Sequence, residues 1–106
     1  MNIRITDVQI FLAHEDKLKA YATITFEEAF IVRDLKIILG TSGLFVAMPA
    51  KKRKDGTFKD IAHPLNQEMR AHIEERVFEA YHRATGEPIP IPQGISEASS
   101  DENSGP

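Results

Sequence analysis

Residues 43–66 read GLFVAMPAKKRKDGTFKDIAHPLN. An apolar, strand-forming run, Leu44-Phe45-Val46-Ala47-Met48, stops at Pro49. Four consecutive cations follow: Lys51, Lys52, Arg53 and Lys54. Asp55-Gly56 supplies a turn, and Thr57–Ile61 reads as a second strand. On its own the stretch predicts a β-hairpin with a cationic tip. Such a tip suits contact with phosphates, although charge runs also serve simply as solvated surface.

Working upstream, residues 3–12 alternate in polarity but change phase. Ile3 and Ile5 share one face, and Val8, Ile10 and Leu12 the other, so a bulge is expected at Thr6-Asp7. After the polar turn at 14–17, Leu18, Ala20, Ala22, Ile24 and Phe26 alternate with Lys19, Tyr21, Thr23 and Thr25. That period-2 pattern predicts a half-buried antiparallel strand. Glu27-Glu28 forms a tight turn. Phe30–Leu39 reads as a more buried strand, interrupted by Arg33-Asp34. Gly40–Gly43 is a third turn. Turns this short favour an antiparallel meander, because parallel crossovers need a dozen residues or more.

Downstream, His63-Pro64 ends the strand and Asn66 is placed to cap a helix. Met69, Ile73, Val77, Ala80, Tyr81 and Ala84 keep helical spacing to about residue 85. Gly86 fits the position after the helix, and Pro88 prevents continuation. The expected fold is α+β: an antiparallel sheet of about five strands with one C-terminal helix packed on it. The domain is expected to span 1–86. Residues 87–106, Pro-rich and then acidic, are expected to form a disordered tail.

The formal net charge is −3, but four acids, Glu87, Glu97, Asp101 and Glu102, lie beyond residue 84. Without them 12 acidic residues face 13 basic ones. A local patch, rather than net charge, would have to steer an anionic partner. The helix adds Arg76 and Arg83, seven positions and about 340° apart and thus on one face, with Arg70 set apart. Phosphate contact and exposed i,i+4 pairing, as with Glu79 and Arg83, both fit them. Tyr21, on the polar face of its strand, is the one aromatic suited to stacking on a base; an RNP-type aromatic pair is absent.

Other chemistry has little basis. The chain contains no cysteine, so disulfides and thiolate nucleophiles are excluded. The histidines lack metal-ligand spacing, and no Gly-rich phosphate loop or GxSxG is found. His63 is expected to close the strand-to-helix turn by hydrogen bonding. Asp34 and Asp60 are expected to be edge charges opposing Arg33 or Lys59. No enzyme, metal or cofactor is expected. No apolar run approaches a membrane span or a signal peptide, so a cytoplasmic protein is expected.

The string GLFVAMP, a basic loop and then DG-x-F-x-DIAHP-x-N resembles the stage V sporulation protein G family, the bacterial septation regulators called SpoVG. The resemblance takes in Ile5–Val8, Ala20–Thr25, Phe30–Asp34 and Glu79–Arg83, and so covers about residues 1–84. It implies a regulator that binds DNA and/or RNA through the basic loop and affects septation, the cell cycle or developmental gene expression. It also implies a homodimer with paired sheet edges; a small domain with Leu44–Met48 or Phe30–Leu39 as an open edge would invite such pairing. The alternative is a protein-interaction module that makes no direct nucleic-acid contact.

Overall fold

The computed structural model describes residues 3–86. The alternating N-terminal segment becomes β1, Ile5–Leu12, which pairs antiparallel with β2, Leu18–Phe26. The register shifts between Ile5 and Asp7, where the phase change requires a bulge. The extra residue turns both apolar sets inward: Ile5 is buried, and Val8 and Ile10 pack against the same core.

β2 pairs with β3, Phe30–Gly40, and β3 with β4, Gly43–Ala47, completing a four-stranded sheet in the order β1-β2-β3-β4. Ala20, Ala22 and Ile24 point to the core, as their alternation predicts. β3 is less buried than expected. Only Leu35 and Ile37 are fully enclosed, whereas Phe30 is 67% exposed. The reason lies partly in a second bulge. Ala22 pairs with Leu35 and Ile24 with Val32, so Arg33 and Asp34 together oppose Thr23. Asp34 takes φ 68°, in the left-handed region. In addition, β4 covers only Lys36–Gly40 of β3, so among the described residues the Phe30–Leu35 half has no strand partner on that side.

The strands after Pro49 are arranged differently from the expected single sheet. Thr57–Ile61 does not pair with Leu44–Met48. Instead Ala50–Lys52 forms β5 and pairs with β6, Phe58–Asp60, in a separate two-stranded sheet. Pro49 has no N–H for a ladder, so β4 ends before it and the chain leaves the first sheet.

The helix α1 runs from Gln67 to Thr85. Asn66 caps it, its Oδ1 accepting from Met69 N at 2.8 Å. At the other end Gly86, at φ 80°, donates its N–H to His82 O at 2.7 Å. α1 lies on one sheet face and meets both edge strands, β1 and β4. Arg70 Nη2 donates to Val46 O at 3.2 Å, fastening the helix to β4. Phe78, Val77, Ile24, Leu35, Ile37 and Val46 are the fully buried apolar centre. Each large side chain there contributes about 1.5–3 kcal/mol through burial. The expectation for residues 87–106 lies outside the described residues.

Candidate nucleic-acid interface

The hairpin of β5 and β6 carries the sequence-predicted cations. Every residue from 50 to 61 is exposed, so the hairpin stands off from the core. Lys51 and Lys52 lie within β5 itself, while Arg53 and Lys54 lead into the turn. Arg53 N donates to Thr57 O at 2.6 Å and Gly56 N to Arg53 O at 3.0 Å. Gly56 adopts φ 93°, which a side chain would resist.

Asp55 is the acid nearest in sequence to these cations, and it is occupied with the turn. Its Oδ1 accepts from Thr57 N at 3.0 Å and from Thr57 Oγ1 at 2.7 Å. The backbone N–H bond, then the hydroxyl bond, hold its carboxyl below the ordinary value. The register adds a cation that spacing alone does not reveal. Lys59 lies directly opposite Lys51. Like charges opposed across a ladder disfavour pairing unless an anion lies between them. Asp60 opposes Ala50, rather than pairing with Lys59 across the ladder.

The helix arginines divide. Arg70 is structural, its Nε 3.8 Å from Oε2 of the fully buried Glu74. Arg76 Nε lies 3.6 Å from Glu79 Oε1, replacing the expected Glu79–Arg83 pair. Arg83 is exposed and makes no ion pair with another described residue. His63 is exposed, and its expected hydrogen bond is not formed among the described residues; Ile61 N to Pro49 O, at 2.8 Å, closes the hairpin base.

Two further surfaces flank this site. An apolar groove runs between the N-terminal half of α1 and the Phe26–Phe30 end of the sheet, lined by Ile24, Phe26, Phe30, Met48, Met69 and Ile73. On the sheet face away from α1, the β1–β2 register sets Phe11 beside Tyr21. Sequence reasoning misses Phe11, because only pairing register reveals that the two rings are neighbours. Among the described residues no cluster of His, Asp and Glu is placed to hold a metal ion. Nor is any helix there long and apolar enough to cross a membrane.

A small α+β domain with a cationic hairpin is the class these features define. The SpoVG family model matches residues 3–83, and the chain belongs to that family. It is 64% identical over 81 residues to a Bdellovibrio bacteriovorus protein named "Putative septation protein SpoVG", covering 76% of this chain and 75% of that one. Proteins of the same name match from Myxococcus xanthus, at 59% identity with 76% and 82% coverage, and from Clostridium beijerinckii, at 48% with 82% and 97%.

Proposed function

We propose that this protein is a cytoplasmic regulator that binds nucleic acid through its β5–β6 hairpin. Lys51, Lys52, Arg53 and Lys54 contact phosphates there, joined by Lys59. The observation that carries this reading is the Lys51–Lys59 opposition on a hairpin with no apolar core of its own. Phosphate oxygens relieve that repulsion, and counterion release drives the binding. Arg83 and, less freely, Arg76 offer secondary contacts. By relation to the septation proteins it matches, the regulated process is septation, cell division or developmental gene expression. We assign no catalytic role.

Gel shifts with mixed DNA and RNA pools at two salt concentrations test this. Affinity should fall steeply with salt. Absence of binding, or binding indifferent to salt, would contradict it.

A second reading, a protein-interaction module, is favoured by the apolar groove and the open half of β3 beside it. We take that edge, or β4, as the dimer contact, since exposed Phe30 and Ile31 border unpaired strand backbone. Light scattering at micromolar concentration should give twice the chain mass; a monomer mass would remove the dimer.

A further inference from the structure

The face of the four-stranded sheet that no described residue covers is the feature the hairpin does not explain. Cross-strand partners share a face, so the register fixes what this one presents. One row runs Phe11, Tyr21, Lys36 across β1, β2 and β3. The next runs Gln9, Thr23 and then the bulged pair Arg33 and Asp34. The rings are 54% and 39% exposed and lie side by side on adjacent strands. A shallow depression lies between Phe11, Tyr21, Gln9, Ile31, Arg33 and Asp34, with Thr23 at its floor.

We infer that this face binds single-stranded nucleic acid, with bases stacked on Phe11 and Tyr21 and phosphates held by Lys36 and Arg33. The inference rests on the nucleic-acid reading and extends it to a second surface. Neighbouring strands are about 4.8 Å apart, so the two rings form one continuous platform. Stacking of this kind needs bases freed from a duplex, since paired bases offer their faces only to one another. Gln9, exposed beside the rings, supplies a donor and an acceptor for base edges. Asp34 borders Arg33 and Asp7 lies one row further on, so Lys36, in the row of the two rings, is the main phosphate contact and Arg33 the second. A second copy of the chain is a poorer occupant. The Gln9–Thr23–Arg33–Asp34 row would bury polar groups in the middle of the contact.

The test compares 20-nucleotide oligo-dT, 20-nucleotide oligo-U and a 20-base-pair duplex, with wild type and Phe11→Leu/Tyr21→Leu. Leucine keeps apolar bulk and removes the π-face. Loss of one stacking ring is worth about 5- to 150-fold in affinity. The double variant should lose at least about 25-fold on one or both single strands, and whichever strand it loses identifies DNA or RNA as the ligand. Duplex binding should stay within about twofold. A second variant guards against misfolding. The chain has no tryptophan, so Phe11→Trp places a lone reporter on the platform, and single strands should quench its emission while the duplex does not. Unchanged single-strand affinity in the double variant, with no quenching of Trp at position 11, overturns the inference and leaves the hairpin reading standing. Loss of dimer mass in the double variant would overturn it in favour of a contact between copies. If wild type binds none of the three ligands, the nucleic-acid reading fails with it.

Discussion

The helix-covered body and the β5–β6 hairpin are built on opposite principles. In the body, Phe78, Val77, Leu35 and Ile37 are enclosed completely, and the helix is capped at both ends. In the hairpin no residue from 50 to 61 is buried, and two lysines face each other across the ladder. The body's residues are chosen by packing. The hairpin's residues contribute nothing to packing, and their charge pattern costs stability unless an anion relieves it. If the hairpin binds nucleic acid as proposed, stability and binding belong to separate parts of one small domain, and each can be perturbed alone.

The largest effect is expected in the body. Phe78→Ala removes a fully buried ring at the centre of the helix–sheet contact. It should cost about 3–5 kcal/mol, read as a lowered denaturation midpoint in urea. A loss below about 1 kcal/mol would mean that the helix does not seal the core. A smaller effect of opposite sign is expected at the β2–β3 turn. Glu27 and Glu28 both sit at positive φ, 53° and 55°. The turn survives because Arg4 N donates to Glu27 Oε2 at 2.7 Å and Glu28 N to Thr6 Oγ1 at 2.9 Å. Glu28→Gly keeps the backbone bond and relieves the left-handed strain, so it should stabilise by about 0.5–1 kcal/mol. Destabilisation would show that the Glu28 side chain contributes more than its backbone strain costs.

The acid behaviour of that turn follows from the same contacts. The Arg4 backbone N–H, chiefly, holds the Glu27 carboxyl below its ordinary value. A depressed carboxyl stabilises the fold above its unfolded pKa, near 4.3, and that contribution is lost as pH falls through the folded value. Glu27→Gln should therefore flatten the acid limb of a thermal-midpoint profile below about pH 4 and leave its shape at pH 7 to 8 unchanged.

Much of the body is legible in the sequence because local rules and tertiary packing agree there. The spacing of Met69, Ile73, Val77 and Tyr81, the Asn66 cap and the Gly86 terminus define α1 without any partner in view. The phase change at Thr6-Asp7 marks its bulge. The hairpin cations are equally plain. Pairing is not. Whether Thr57–Ile61 meets Leu44–Met48 or Ala50–Lys52 depends on where the chain leaves the first sheet, and Pro49 decides that only in three dimensions. Lys59 opposite Lys51 and Phe11 beside Tyr21 are likewise facts of register, invisible to spacing along the chain. The bulge opposite Thr23 leaves no mark on β2, because Ala20, Ala22 and Ile24 keep their alternation through it; the extra residue lies on β3.

The salt dependence of binding by a variant with Lys51, Lys52, Arg53 and Lys54 all replaced by Ala tests the central claim most directly. These residues are exposed, so the thermal midpoint should move by no more than a few degrees. On duplex DNA the slope of log affinity against log salt should shrink by up to about 3.6 units, near 0.9 for each phosphate that is no longer neutralised. An unchanged affinity with an unchanged slope would contradict the account, leaving the hairpin as solvated surface and shifting the weight to the apolar groove and a protein partner.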